Sequence, residues 1–312
     1  MKKTISFKRL LLGLIIIFSI MFTVLSGRKA SAAGTIKVDS LGEFFDKLSE
    51  QIYDRDAYRY YSSDDAKVIQ AFRDFDMLDY ELHYREDDPF HSGCYLSYYT
   101  STLHMSISSR GTKVLIELPY NKSEMDRHFA SLDDLAVRLK GKNDYETVVN
   151  VHDYLIKNFE YDSRMDMGNH TDIDGFRDGV MVCSGYALSA YYILNSAGVK
   201  TRTVIGTGDD TLGTLDHMWN VVKIDNKWYN LDITWDDLGG SNVSYEYFLK
   251  SDEDFHHHAR AREYDKSEYP IYISKESYKS PIEPRTIKAF ILILLFGCIT
   301  FLIIFLKRDK RL

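Results

Sequence analysis

Cys183, His217 and Asp232 are far apart in the chain, yet their side chains together suit nucleophilic acyl chemistry. A thiol attacks a carbonyl when an imidazole handles its proton, and a carboxylate behind the ring fixes the tautomer and steadies the imidazolium. The segment around the cysteine has a matching pattern. Val182-Cys183-Ser184-Gly185-Tyr186-Ala187 opens an apolar run that continues to Ala197 and stops at Gly198, which predicts a buried helix with a glycine just past its end. Cys183 then sits at the helix N-terminus, where unpaired N–H groups and the helix dipole favour negative charge on sulfur. Gly185, one turn in, is expected to leave room for a substrate chain beside that sulfur.

The other two residues fall on one predicted hairpin. Asp216 to Ile224 alternates in the manner of a strand, Asp225-Asn226 suits a two-residue turn, and Lys227 to Trp235 returns. With Ile224 opposite Lys227, His217 faces Thr234 and Trp219 faces Asp232. His217 and Asp232 are then diagonal neighbours on one face, about 7–8 Å apart at the backbone, within reach of an imidazole–carboxylate contact. A turn longer by one residue would send Asp232 to the opposite face. In the same register Asn220 points away from His217, which favours a structural hydrogen bond, and Trp219, Trp228 and Trp235 are expected to pack the hairpin.

Three blocks in order resemble the motifs of the bacterial transglutaminase-like superfamily: Cys183-Ser-Gly-Tyr-Ala, His217-Met-Trp-Asn220 and Tyr229-Asn-Leu-Asp232-Ile-Thr-Trp235-Asp. Val151-His-Asp-Tyr-Leu-Ile-Lys-Asn-Phe-Glu-Tyr-Asp162 is similar to that family's leading helix, and the resemblance extends over residues 122–270. It implies an α+β, papain-like core, with the cysteine at a helix N-terminus packed on an antiparallel sheet that carries the histidine and aspartate. It also implies Cys-His-Asp acyl transfer, with Cys183, His217 and Asp232 at the catalytic positions; no cofactor or metal is expected. A thiolate would attack a carboxamide or peptide carbonyl, and an amine or water would take the thioester. Crosslinking, deamidation and peptide hydrolysis all stay open. The Cys183 N–H is the expected first oxyanion donor. The family's animal members use an upstream tryptophan as a second, but no tryptophan precedes Trp219 here.

Two features tempt a metal reading. Residues His256-His257-His258 cannot share one face of a helix or strand, so a surface or capping role is expected for them. The run His170-Thr-Asp172-Ile-Asp174-Gly175 is like a calcium loop in its alternate oxygens, but its first position is histidine and its twelfth is Met181, so no calcium site is expected.

The elements that must position these groups are legible in part. Tyr145 to Phe159 places Val148, Val151, Leu155 and Phe159 on one helical stripe, and Ser131 to Asp134 resembles a capping box. Residues 41–55 and 64–76 have helical spacing, while Cys94–Ser106 and Lys113–Leu118 read as strands. The expected division is an N-terminal accessory α/β region at 33–121, a catalytic domain at 122–275 and a linker at 276–288.

The two ends differ from the rest. Basic residues precede an apolar run from Leu10 to Leu25 and then Ala30-Ser31-Ala32, the layout of a secretory signal over 1–32. Residues 289–306 are uncharged and precede a basic tail at 307–312, as in a membrane-spanning helix with a cytoplasmic tail. These readings predict a single-pass membrane protein with its catalytic domain outside the cytoplasm. With residues 1–32 and 286–312 set aside, 28 basic and 45 acidic residues remain, a net charge of about −17. So acidic a surface repels phosphate backbones and excludes nucleic acid as a partner. The expected partners are the membrane and a protein or cell-wall peptide amide. Three cysteines are too few for a disulfide scaffold, although a bond between Cys94 and Cys183 would abolish the catalytic reading. The alternative reading keeps the fold without activity, as a surface module for binding or assembly.

Overall fold

The computed structural model describes residues 34–164, 170–210, 213–240, 242–265 and 270–280. The signal and membrane-helix readings fall outside these residues. Among the described residues, no helix is long and apolar enough to cross a membrane.

The fold is α+β. In the N-terminal part, strand β1 (Ile36–Lys37) leads into helix α1 (Leu41–Tyr53), capped by Ser40, which buries Phe44, Phe45, Leu48 and Ile52. Strand β2 (Tyr58–Ser62) follows, then helices α2 (Ala66–Arg73), α3 (Met77–Glu81) and α4 (Gly93–Leu96). Strands β3 (Thr102–Ser108) and β4 (Gly111–Glu117) complete a sheet ordered β1-β2-β4-β3.

The strand expected over Cys94–Ser106 therefore begins only at Thr102. Before it the chain coils through α4 and a 3-10 turn at Ser97–Tyr99. The cause is tertiary: Tyr95 and Tyr99, one helical turn apart, both direct their hydroxyls to the buried carboxylate of Asp172. Two satisfied phenols and a satisfied carboxylate outweigh the local preference of these residues for a strand.

Helix α5 (Lys122–Leu139) and helix α6 (Asp144–Asn158) come next. The capping box belongs to Asn121 and Glu124, whose side chain and backbone groups bond reciprocally. Ser131 lies inside α5 and donates to the His128 carbonyl instead, which corrects the sequence expectation. Val148, Val151 and Leu155 form the buried stripe of α6. Strand β5 (Glu160–Tyr161) pairs in parallel with β6 (Val180–Met181), and helix α7 (Asp172–Asp178) lies between them.

Helix α8 (Cys183–Ala197) is buried on almost every side and ends at Gly198, whose φ of 95° is the left-handed conformation that glycine adopts at low cost. It packs on α5, α6 and α7 and on a second sheet, ordered β10-β7-β8-β9, made of β7 (Thr201–Asp210), β8 (Gly213–Ile224), β9 (Lys227–Leu231) and β10 (His258–Arg260). Helix α9 (Ile233–Asp236) follows β9. One apolar core runs from Val38 through α8 to Leu249, so residues on both sides of position 121 pack as one body.

Candidate functional site

Cys183 is the first residue of α8. The first N–H groups of a helix lack intrahelical partners, and Val182 supplies no side-chain cap, so the sulfur lies at an electropositive end. Cys183 and Cys94 are both free thiols, which removes the disulfide alternative. Cys94 is buried, and burial pushes its thiol up from the usual range. Gly185 serves packing and not substrate room: a Cβ there would lie 2.6 Å from Met181 Cβ, on the strand that leads into α8.

The β8–β9 hairpin has the expected turn. Ile224 pairs with Lys227, and Asp225 and Asn226 take positive φ of 49° and 63°, as a two-residue turn of matching twist requires. The ladder then stops at Asn220–Leu231, so the pairings expected for Trp219 with Asp232 and His217 with Thr234 are not made. Asp232 has left the strand to cap α9 by accepting from the Trp235 N–H at 3.2 Å, and His217 instead lies opposite Gly206 on β7. The contact itself is present: His217 Nε2 is 2.7 Å from Asp232 Oδ2. Asn220 makes the structural bond expected of it, donating to the Ala187 carbonyl at 2.9 Å and so tying the hairpin to α8.

Both members of the pair are deeply buried, His217 at 8% and Asp232 at 1% exposure. Burial pulls the imidazole down, but the Asp232 charge and hydrogen bonds to Asp232 and Cys183 outweigh it and push His217 up to about 10. Burial drives the Asp232 carboxyl up in turn, and the His217 charge with the N–H groups of His217 and His258 holds it well below the usual carboxylate range. With Nε2 committed to Asp232, Nδ1 is the ring nitrogen left for the Cys183 thiol.

His258 is the site residue that the sequence reading missed. Its side chain is neither a surface group nor a cap: it is 1% exposed, and its Nε2 lies 2.9 Å from the same Asp232 Oδ2. Its Nδ1 meets the His256 carbonyl at 2.9 Å, so both ring nitrogens face oxygen acceptors. His257, at φ 65°, turns the chain so that only the third histidine enters the site. Phe255 and Trp235 pack the ring at centroid separations of 4.0 and 4.4 Å.

Two glycines make this approach possible. A Cβ on Gly206 would lie 2.2 Å from the Ala259 carbonyl, and one on Gly208 would lie 2.8 Å from the Trp235 ring. Bare backbone at both positions lets β10 and Trp235 close around His217. Glycines spaced by two, directly after the strand-like residues 201–205, were the available signal.

A cavity of about 940 Å³ opens over the pair, and Cys183, His217, Trp235, Tyr98 and Leu78 are among the residues that line it. Trp235 therefore faces the cleft as well as packing, whereas Trp219 is buried and donates to Asn230 Oδ1 at 3.2 Å.

Among the described residues, the one group able to offer three metal ligands is His217, Asp232 and His258, with ligand atoms within 4.8 Å of one another. Both imidazoles already direct nitrogen at one carboxylate oxygen, so a cation would bind there only at the cost of those hydrogen bonds. In the run His170–Gly175, Thr171 caps α7, and the Asp172 carboxylate is taken up by Tyr95, Tyr99 and His128.

Residues 133–233, which include Cys183, His217 and Asp232, match the family model of the transglutaminase-like superfamily. Human kyphoscoliosis peptidase is 29% identical over 120 residues, which cover 34% of this chain and 18% of that protein, so the match spans less than a fifth of the relative's length. Among solved structures, a TGase aligns with a TM-score of 0.31 at 18% identity, over 45% of this chain and 46% of that one. Calcium-bound LapG of Legionella pneumophila aligns with a TM-score of 0.30 at 16% identity, over 52% and 86%.

Proposed function

We propose that this protein is a thiol acyl-transfer enzyme of transglutaminase-like type, acting outside the cytoplasm on protein or cell-wall peptide amides while its C-terminal segment holds it to the membrane. The observation that carries the chemistry is the 2.7 Å contact from His217 Nε2 to Asp232 Oδ2, in a cleft that His217 shares with Cys183. The acidic domain and the apolar, charge-flanked ends support the location.

The Cys183 sulfur adds to the amide carbon, and the carbonyl pair moves to oxygen. When the pair returns, the C–N bond breaks and His217 gives its proton to the departing nitrogen. Its raised pKa means that it holds that proton at neutral pH. Asp232 keeps the ring oriented and offsets its charge. An amine or water then takes the thioester.

The test is incubation of the purified chain with a glutamine-containing peptide and a labelled amine, with mass spectrometry for crosslinked, deamidated and cleaved products. The expected result is one of these products, lost in Cys183→Ala and in His217→Ala. Equal, slow labelling of Cys183 and Cys94 by a thiol probe, with no product formed, would sink the enzyme reading and leave a binding module.

A further inference from the structure

The tetrahedral intermediate of acyl transfer carries its charge on one oxygen, and thiol enzymes hold that oxygen with two preorganised donors. The Cys183 N–H at the start of α8 is one. A second must be a neutral donor that opens on the same cleft and is not already engaged within the fold.

Tyr98 meets these conditions. It lines the cavity together with Cys183 and His217. Other buried tyrosines spend their hydroxyls inside the fold: Tyr61 on Gln51, Tyr80 on Ser49, Tyr186 on Asp237 and Tyr191 on the Pro89 carbonyl. The Tyr98 hydroxyl has no hydrogen-bond partner among the described residues, and it is not sealed from solvent as that of Tyr84 is. Unengaged phenols in partly buried positions are uncommon, because an unmet donor carries a desolvation cost.

The ring is also held in place. Tyr98 is the middle residue of the 3-10 turn at Ser97–Tyr99, and its neighbours Tyr95 and Tyr99 are anchored to Asp172 at the start of α7. Tyr95 and Tyr99 face inward, as do Leu96 and Ser97, whereas Tyr98 lines the cleft. Burial first, then Glu81 and, further down, the Cys183 sulfur keep the phenol well above its usual range, so it remains a donor at any working pH.

We propose that the Tyr98 hydroxyl is the second oxyanion donor, supplied to the Cys183 centre by the N-terminal region. This rests on the acyl-transfer reading above. No proton changes hands: as sulfur adds to carbon, the oxygen takes up the carbonyl pair and accepts hydrogen bonds from the Cys183 N–H and the Tyr98 O–H, and both are released when the C–N or C–O bond breaks. The tyrosine takes the place of the tryptophan that this chain lacks ahead of Trp219, and residues 33–121 become part of the active centre.

The test uses the full chain and two probes. Hydrolysis of p-nitrophenyl acetate passes through an oxyanion, whereas alkylation of Cys183 by iodoacetamide does not. In Tyr98→Phe, ester hydrolysis is expected to fall about 10²–10³-fold, with the loss in kcat and not KM, while the alkylation rate and the urea midpoint stay at wild-type values. An unchanged hydrolysis rate would overturn the proposal. Parallel losses in hydrolysis and alkylation would also overturn it, since Tyr98 would then support the thiol and not the oxyanion. If Cys183→Ala hydrolysed the ester as fast as wild type, the acyl-transfer reading would fall first and this inference with it.

Discussion

His258 Nε2 and Asp232 Oδ2 are 2.9 Å apart, and that oxygen also meets His217 Nε2 at 2.7 Å. One buried carboxylate thus serves two histidines from different strands while its other oxygen caps α9. A buried carboxylate is costly unless its lone pairs are met, and here three N–H groups meet them. His258 acts through Asp232 as a positioning residue, holding the carboxylate where it can orient His217.

His258→Phe keeps the ring packed among Phe255 and Trp235 but removes the donor. The expected outcome is a loss of about 1–3 kcal/mol in urea unfolding, with slower acyl transfer. His258→Gln, which can still donate, should recover part of both. Wild-type stability and rate in the phenylalanine variant would show that Asp232 needs no second histidine.

The pH dependence of stability follows from the same pair. The folded His217 pKa of about 10 lies above the ordinary histidine value of about 6.5. Its contribution is therefore complete below pH ~6.5 and is lost as pH rises toward 10. The Asp232 pKa is lowered, so its contribution is present above the ordinary carboxylate range, near pH ~4, and is lost on acidification below it. Urea midpoints of wild type and His217→Gln should differ most between about pH 4 and 6.5 and converge toward pH 10. A gap that widened between pH 7 and 10 would contradict this assignment.

Gly206→Ala tests the approach of β10. Its Cβ would press on the Ala259 carbonyl, which is backbone and cannot turn aside, so the strand carrying His258 must shift. Overpacking of this kind costs about 1–3 kcal/mol, and Asp232 should lose its second histidine as well. Combining it with His258→Phe should cost less than the sum of the two, because both break one contact. Additive losses, read from denaturant titrations, would mean that the glycine serves some other packing.

Asn220→Ala leaves the Ala187 carbonyl without its side-chain donor in a fully buried position. A loss of about 1–3 kcal/mol is expected, because the bond joins α8 to the sheet that carries His217. Thermal unfolding would check it, and iodoacetamide labelling of Cys183 would show whether loosening that joint also slows the thiol.

Much of the local structure was legible along the chain. The apolar run from Tyr186 to Ala197 with Gly198 behind it, the alternation of Asp216–Ile224 and the Asp225-Asn226 turn are short-range patterns, and a residue's neighbours within a few positions are enough to set them. The register they impose predicted that His217 and Asp232 would meet, and they do, although the ladder stops at Asn220–Leu231 and Asp232 reaches the ring from a helix cap. The three-block resemblance followed from those same residues.

Other features depended on which distant surfaces meet. Asp232 left the strand for a helix cap, and Tyr95 and Tyr99 took a coiled path toward Asp172, because buried carboxylates require donors and each drew the nearest one in space. The His256-His257-His258 run looked like surface, since the left-handed turn at His257 and the bare Gly206 backbone that admit the third ring belong to different segments. Tyr98 resembled any other residue of a tyrosine-rich stretch until the fold showed which hydroxyls were already taken. Periodicity reports how a segment pairs with itself and its near neighbours, whereas the demand of a buried polar group is met by whatever the completed fold brings within 3 Å, and no local pattern records that.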